Sequence, residues 1–189
     1  MALLDIRVLG DPVLRRETVA VVAVDDGIRR LIDDMFETMD AANGIGLAAP
    51  QVGRTERVCV IDIGEEGPGR LALVNPEIVH EEGEVRWEEG CLSIPEIYGE
   101  VTRSARVTVR ALDRDGKPFE IEAEQLLAVC LQHEIDHLHG KLFVDYLSLL
   151  KRRSALAKWE KMKTQFPNFV RRLTPAEAAE HHGGAEEAL

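Results

Sequence analysis

The chain has 189 residues, of which 45% are hydrophobic and 30% charged, enough apolar content to build one folded domain. Its net charge of −11 argues against nucleic-acid binding by the whole surface, so DNA is not expected as a partner. Three cysteines do not make a disulfide framework, and no apolar run reaches the roughly 18 residues that cross a bilayer. Asp5 and Arg7 also interrupt the apolar start before a signal-peptide core can form, which predicts a cytoplasmic protein.

The first strong periodic segment predicts a helix from Asp25 to about Ala42. Its apolar residues recur at the spacing of one helix face. Asp25 or Asp26 is a suitable N-cap, and Asn43-Gly44 should end the helix. The residues of this stripe are Ile28, Leu31, Ile32, Met35 and Met39.

Three short segments then read as strands. Residues 57–63 predict a buried strand, and residues 71–74 predict a second one that Asn75-Pro76 should interrupt or end. Residues 105–112 alternate between apolar and polar, as expected for a strand with one buried face. Asp115-Gly116 predicts a hairpin turn, after which residues 118–122 form the return strand.

Two further helices are predicted in the second half of the chain. One runs from about Glu124 to His139 and ends at Gly140, and the other runs from Ser148 to Gln165. Because strands and helices do not alternate strictly, we expect an α+β fold with antiparallel sheets around the first of these helices and with the other as a C-terminal helix. Residues 1–165 are predicted to be a single catalytic domain, and residues 166–189 an acidic, flexible tail.

The central predicted helix contains His133-Glu134-Ile135-Asp136-His137, an H-E-x-x-H motif. Residues at i and i+4 share a helix face, so both imidazoles can reach one metal ion. Glu134 lies about 100° around the helix from His133, beside the metal, where a base for water belongs. The alternative is a surface helix that carries two histidines by chance. The apolar run at residues 126–131 argues for a buried helix instead.

A catalytic metal site of this kind requires a third protein ligand and one open position. Spacing favours Cys91, which lies in a short polar segment outside the predicted elements and follows Gly90, a residue that permits close backbone approach. Other donors remain open at this point. They are Cys59, His80, Cys130, Asp136 and His139.

Three segments together resemble the signature motifs of the peptide deformylase family. They are residues 44–51 (GIGLAAPQ), residues 89–93 (EGCLS) and residues 132–137 (QHEIDH), in that family's order and at similar separations. The early GDPVLRR and the first helix are also similar, so the resemblance spans about residues 5–165. The continuation CLSIPE and the long basic C-terminal helix resemble the bacterial type 1 branch.

The resemblance implies specific roles for residues of this chain. Cys91, His133 and His137 would bind the metal, and Glu134 would be the general acid and base. The Gln51 amide and the Leu92 N–H would hold the carbonyl oxygen. The residues around the methionine side chain of the substrate would be Ile45, Trp87, Glu89, Leu126, Val129 and Cys130. Gly44 and Gly46 would also bind the substrate, and Tyr98 stands where some relatives carry an arginine near it.

The resemblance further implies removal of the formyl group from the N-terminal formylmethionine of nascent polypeptides, with release of formate. It implies one divalent metal ion, Fe²⁺ in cells, which Zn²⁺, Ni²⁺ or Co²⁺ replaces in preparations; one thiolate and two imidazoles suit all four. One rival is an H-E-x-x-H metallopeptidase, which usually takes its third ligand from later in the chain. The only histidines after His139 are His181 and His182. A second rival is a non-catalytic ribosome-binding relative, which would lack Glu134 or Gln51.

The C-terminal predicted helix is strongly basic. Residues 147–172 contain eight Lys or Arg side chains against Glu160 alone, a net charge of +7, which leaves −18 for the rest of the chain. Such asymmetry indicates a basic element on an acidic body, although a solvated helix face is the plainer interpretation. Because the resemblance implies docking near the ribosomal exit tunnel, the sequence predicts that helix 147–165 contacts the ribosome there.

Overall fold

The computed structural model describes residues 2–173, which form an α+β fold with antiparallel sheets. In this part of the chain the helices are α1 Asp26–Ala41, α2 Gln125–Leu138 and α3 Leu149–Met162. The strands are β1 Ile6–Arg7, β2 Gly46–Ala48, β3 Val58–Ile61, β4 Leu71–Glu82, β5 Val85–Glu89, β6 Gly99–Arg103, β7 Arg106–Leu112, β8 Pro118–Glu124 and β9 Val170–Arg171. None of the helices in this range is both long and apolar enough to cross a bilayer.

The main sheet has five antiparallel strands in the order β2-β3-β4-β7-β8. Helix α2 packs against one face of this sheet and α1 against the other, and each contact surface is a separate apolar cluster. Strand β3 is buried on both faces because Cys59 and Ile61 join the α2 cluster while Val58 and Val60 join the α1 cluster. This two-sided burial accounts for the continuous apolar run in its sequence.

Helix α1 forms as its periodicity predicts. The Asp25 carboxylate accepts a hydrogen bond from the Ile28 N–H and caps the helix. The predicted apolar stripe is buried, and Asn43 adopts a φ of 56° just after the helix ends. The hairpin at Asp115-Gly116 is also confirmed, since β7 and β8 pair on either side of it.

Asn75-Pro76 interrupts strand β4, one of the two outcomes that the sequence predicts, but does not end it. The strand continues to Glu82, with a shift in its register against β7 between Val74 and Glu77. Asn75 takes a φ of 52°, and its side-chain amide makes two hydrogen bonds of 2.8 Å to the Val21 backbone. The proline therefore lies at a bulge, where a strand tolerates it.

A two-stranded sheet, β5–β6, was not predicted from the sequence. Its residues alternate between exposed charges and half-buried side chains, with Trp87 opposite Val101 and Glu89 opposite Gly99. The buried positions of these strands include Glu89 and Arg103, so an apolar alternation could not reveal them. This sheet frames the loop that carries Cys91, which begins directly after β5.

The predicted domain boundary after residue 165 is placed too early. Phe166 stacks on Trp159 of α3, with ring centroids 5.7 Å apart. Strand β9 then pairs with β1, Arg171 opposite Ile6. Residues 166–171 are therefore part of the fold, because pairing with the N-terminal strand and burial of Phe166 hold them there. The predicted flexible tail otherwise falls on residues 174–189, which lie outside the described residues.

Candidate metal centre

Helix α2 carries three polar side chains that are almost completely buried. His133, Glu134 and His137 are at most 2% exposed, although the helix around them is largely apolar. The two imidazole rings lie on one helix face with centroids 4.9 Å apart. Buried polar groups are costly unless they have partners, so core packing alone does not account for these three side chains.

Cys91 completes a group of three possible metal ligands. Its Sγ lies 3.3 Å from Nε2 of His137, and one donor atom from each of Cys91, His133 and His137 lies within 4.8 Å of the others. Within residues 2–173 this is the one group of three or more such donors that comes together in this way. All three residues are buried.

The other candidate donors have different surroundings. Asp136 forms an ion pair with Arg103, and His139 Nδ1 lies 2.7 Å from a carboxylate oxygen of Glu17. His80 is exposed on β4, away from the group. None of these three side chains therefore joins Cys91, His133 and His137 as a donor.

Cys59 and Cys130 are packed in the core cluster that joins α2 to the sheet. Burial raises the pKa of both thiols well above its usual value, and the Glu134 carboxylate raises it further. Cys130 donates its S–H toward the Ile45 carbonyl at 3.7 Å. Both cysteines are therefore protonated core residues at neutral pH.

A buried carboxylate orients His133. Glu89 Oε2 lies 2.9 Å from His133 Nδ1, and both Glu89 oxygens accept hydrogen bonds from Arg103, at 2.7 and 3.0 Å. Arg103 is held in turn by Asp136 and by the Tyr146 ring, 4.6 Å from its guanidinium carbon. Because Nδ1 is hydrogen-bonded to Glu89, Nε2 is the His133 nitrogen that can act as a metal donor.

Glu89 is a buried carboxylate whose partners Arg103 and His133 determine its charge state. Burial raises the pKa of its carboxyl, but the hydrogen bonds from Arg103 and His133 outweigh burial and lower it to about 2. Glu89 is therefore an anion whose polar atoms are already paired. Sequence reasoning missed Arg103, because nothing in VTRSAR distinguishes this arginine from a surface one.

Glu134 is buried without a polar partner. Neither of its carboxylate oxygens has a hydrogen-bond partner among the described residues, and its side chain is 0% exposed. Burial raises the pKa of Glu134 to about 7, because removing the charged form from water is unfavourable. A carboxyl group with this pKa can both accept and donate a proton near neutral pH.

Gly46 makes the position of Glu134 possible. A Cβ atom added to Gly46 would lie 2.3 Å from Glu134 Oε1, far inside van der Waals contact. The carboxylate therefore rests directly against the backbone of β2. This close approach explains why the second position of the GIG sequence, opposite the H-E-x-x-H helix, requires a glycine.

Gln51 is buried beside the thiol of Cys91 with its amide orientation fixed. Its Oε1 accepts a hydrogen bond of 2.8 Å from the Ala48 N–H. Its Nε2 is consequently directed at Cys91 Sγ, 3.5 Å away, and at Ser93 Oγ, 3.3 Å away. The site thus contains an amide donor next to the candidate ligand.

The donor set fits a divalent transition-metal ion. One sulfur and two imidazole nitrogens form the first coordination set of a catalytic site that keeps a position open. His133 Nε2 is buried without a hydrogen-bond partner among the described residues, as expected for a ligand atom. Burial, followed by the neighbouring cationic groups, holds the pKa of His137 well below its usual value, which keeps it in the neutral form that binds metals.

The predicted pocket residues fall into two groups. Ile45, Val129 and Cys130 are at most 5% exposed and belong to the core cluster behind α2. Trp87 and Leu126 are half-buried and pack against the same cluster. The half-buried pair borders solvent, whereas the other three residues lie within the core cluster.

The remaining predicted contacts lie around the Cys91 loop. The Leu92 side chain packs into the α1 cluster, so close to Gly44 that a Cβ there would lie 2.7 Å from it. Tyr98 is 55% exposed, and its ring covers Gly90. Leu92 can thus face the site only through its backbone, while Tyr98 lies at the rim.

The fold and this group of side chains define a class: a protein with a possible mononuclear metal site of Cys-His-His type beside a buried, unpaired carboxylate, as in metal-dependent hydrolases. Comparison with known sequences narrows the class. The sequence model of the family described as polypeptide deformylase matches residues 3–153. The chain belongs to the polypeptide deformylase family.

Individual relatives agree with the family. The peptide deformylase of Alkalilimnicola ehrlichii is 59% identical over 166 residues, which cover 87% of this chain and 93% of that protein. The enzyme of Nitrosococcus oceani is 54% identical, covering 85% and 96%. The crystal structure of a peptide deformylase from Legionella pneumophila matches with a TM-score of 0.83 at 53% identity, covering 87% of this chain and 97% of that one.

A second solved structure that matches is a complex with a bound compound. The peptide deformylase from Ehrlichia chaffeensis in complex with actinonin matches with a TM-score of 0.82 and 42% identity, covering 87% of this chain and 98% of that chain. The similarity therefore extends over almost the whole length of the solved relatives. The predicted α+β architecture with antiparallel sheets and a C-terminal helix is confirmed by these matches.

Exchange of the candidate sulfur ligand should remove the metal. Cys91→Ser replaces a thiolate with a weak neutral donor, so we expect metal affinity to fall by about 10-fold or more. Cys130→Ser is the matched control, because its thiol lies in the core and should leave the metal content unchanged. Metal content of both purified proteins, measured by inductively coupled plasma mass spectrometry, checks the prediction. Loss of metal in the Cys130 variant alone would contradict it.

Addition of one methyl group at Gly46 should displace Glu134. In Gly46→Ala the new Cβ would collide with the carboxylate, so the side chain must leave its position against β2. We expect proton transfer to slow by about 100-fold, the range that positioned acid–base groups contribute. Steady-state kinetics measure the effect, and unchanged metal content and circular dichroism show that the fold and the ligands persist. An undiminished rate would mean that the carboxylate position is irrelevant.

Proposed function

We propose that this chain hydrolyses the N-formyl group of N-terminal formylmethionine on nascent polypeptides and releases formate. Its membership of the deformylase family supports the activity, as does the match to a relative crystallised with actinonin. The observation that carries the proposal is Glu134, a buried carboxylate without a partner, next to the Cys91, His133 and His137 group.

The residues that would hold the metal are Cys91, His133 and His137. A divalent ion bound there supplies Lewis acidity, which lowers the pKa of water and polarises a carbonyl. We propose Fe²⁺ as the ion in cells, with Zn²⁺, Ni²⁺ or Co²⁺ in preparations, because one sulfur and two nitrogen donors suit all four. Metal analysis of protein purified without oxygen tests this choice.

Glu134 moves the protons of the reaction. It accepts a proton from the water that attacks the formyl carbon, and it returns a proton to the peptide nitrogen when the C–N bond breaks. The products are formate and a free N-terminal amine. Its buried position beside His133 and its pKa of about 7 support both steps.

Gln51 and the Leu92 backbone stabilise the oxygen on which negative charge develops. The Gln51 amide hydrogens are already directed toward Cys91, because the Ala48 N–H fixes the other end of the amide. A preorganised donor of this kind stabilises the transition state more than the ground state. The Leu92 N–H follows Cys91 directly in the chain and is the second proposed donor.

The methionine side chain would enter the apolar region behind α2. Ile45, Val129 and Cys130 form its inner wall, and Leu126 and Trp87 border the opening. Gly44 and Gly46 bracket Ile45, and we propose that the substrate backbone runs along this segment. An unbranched, flexible thioether is well suited to such an irregular apolar space.

Removal of the Glu134 carboxylate should abolish the reaction while leaving the metal in place. We expect Glu134→Ala to retain the metal and to lose at least about 100-fold in kcat for a formyl-Met-Ala-Ser peptide. Formate release and metal content of the same sample are the two measurements. The unformylated peptide serves as the control for a metallopeptidase: its cleavage by the wild-type protein would overturn the assignment. Restoration of activity by excess metal would show that Glu134 is a ligand instead.

We also propose a cytoplasmic enzyme that docks on the ribosome through α3. The cysteines at 59, 91 and 130 are free thiols, in keeping with a reducing compartment. Helix α3 buries only Trp159 and Met162, which leaves most of its length available for another surface. Ribosomal RNA presents phosphates that basic side chains bind in a salt-dependent manner.

Charge reversal on α3 should release the protein from ribosomes. Arg153 and Lys161 are exposed on one helix face, whereas Arg152 is paired with Asp145, so Arg153→Glu with Lys161→Glu changes the surface and spares the internal contact. We expect co-sedimentation with ribosomes to disappear at low salt. Activity on a free formyl-Met tripeptide should persist, because α3 carries no catalytic group. Arg30→Glu with Lys117→Glu is the control of equal charge, and unchanged co-sedimentation of the α3 variant would contradict the proposal.

A further inference from the structure

A cleft of about 320 Å³ opens beside Cys91 between two parts of the chain that are distant in sequence. One wall is the loop that follows Cys91 and reaches Tyr98. The other wall belongs to the C-terminal segment, which contributes Phe166 and Arg171. Because Cys91 belongs both to the candidate metal centre and to the lining of this cleft, the residues that follow a formylmethionine held at that centre would pass next to the cleft.

The fold holds Arg171 in this wall. Its backbone pairs with Ile6, a completely buried residue of β1, so the position of β9 is fixed by the main chain. Phe166, on the same wall, is anchored by its stacking on Trp159. Arg171 is therefore a half-buried cation on a supported strand, unlike an arginine on a loose terminus.

The charge of Arg171 is not used within the described part of the chain. The neighbouring Arg172 points outward, 83% exposed, and lies 3.9 Å from Asp5, whereas Arg171 makes no ion pair with a carboxylate of residues 2–173. Glu96 also lines the cleft, but it is exposed, and the Lys158 ammonium donates to its backbone carbonyl. Among the described residues that line the cleft, Arg171 is therefore the half-buried cation, whereas Glu96, the one carboxylate, is exposed.

We propose that Arg171 is a specificity-determining residue that favours substrates with a carboxylate side chain among the second to fourth residues. The inference rests on the proposed deformylase activity. The protein as a whole is acidic, but at physiological ionic strength charges more than about 8 Å away are largely screened. The local arginine therefore governs the choice, and an extended chain of about 3.3 Å per residue brings these side chains past it.

The test uses formyl-Met tetrapeptides with an amidated C-terminus, so that the one carboxylate is an Asp placed at position two, three or four. The matched peptides carry Asn, which has the same shape without the charge. For the wild-type metal-loaded protein we expect kcat/KM to be about three- to five-fold higher with Asp than with Asn at one of these positions, the range of a partly exposed ion pair. The difference should reside in KM.

Substitution identifies the residue responsible. Arg171→Gln should bring the Asp-to-Asn ratio to about one, and Arg171→Glu should favour a Lys peptide at the same position. Arg172→Gln is the matched control and should preserve the wild-type ratio, because that side chain points away from the cleft. Free-acid peptides form a second arm: a preference seen only with them would assign Arg171 to a chain terminus, which nascent chains do not present, and would overturn the proposal.

Two further results would also overturn it. One is an equal Asp-to-Asn ratio in the wild-type protein and in Arg171→Gln at all three positions. The other is a uniform loss of kcat/KM for every peptide in Arg171→Gln, which would show that the residue only supports β9. Failure of the proposed function looks different, because then the wild-type protein would release no formate from any peptide.

Discussion

The buried pairing of Glu89 with Arg103 and His133 is the interaction on which the candidate site depends. Removal of a carboxylate and a guanidinium from water is costly, and each charge is tolerated here because the other neutralises it. The pair joins β5 to β6 and both strands to α2. It thereby fixes the His133 ring, and loss of either partner would leave an uncompensated charge next to the donors.

The same arrangement places the Cys91 loop. Strand β5 ends at Glu89, and Cys91 follows two residues later, so the position of the thiol is set by the carboxylate that holds His133. On the opposite side, β2 brings Gly46 against Glu134, and the following turn brings Gln51 to Cys91. Three segments that are far apart in sequence therefore converge because α2 lies between the sheets.

The two buried carboxyl groups near the donor group differ in a way that suits the reaction of the deformylase family. The surroundings lower the pKa of Glu89 to about 2 and raise the pKa of Glu134 to about 7, although both are buried carboxyl groups. The difference arises because Glu89 has an arginine and a histidine as hydrogen-bond partners, whereas Glu134 has no such partner among residues 2–173. One carboxylate thus orients His133, while no ion pair fixes the charge of the other.

Local patterns in the sequence predicted much of the fold. The apolar stripe of α1, the Asp115-Gly116 turn and the helical spacing of His133 and His137 depend on backbone geometry within a few residues. The Asn75-Pro76 step interrupts β4 without ending it, and local sequence could not choose between the two outcomes because the Val21 backbone, distant in sequence, stabilises the left-handed conformation of Asn75. Strands β5 and β6 were missed because their charged residues obscure the alternation.

By itself the sequence determined which motifs the chain contains: H-E-x-x-H at helical spacing, a cysteine in EGCLS and a glutamine in GIGLAAPQ, in the order of the deformylase family. Only the tertiary structure decided that Cys91 joins the histidines, that Arg103 pairs with Glu89, and that β9 returns to the domain. These facts depend on where distant segments meet. Spacing along a helix is fixed by its 3.6-residue period, whereas a contact between remote segments is fixed by the packing of the whole chain.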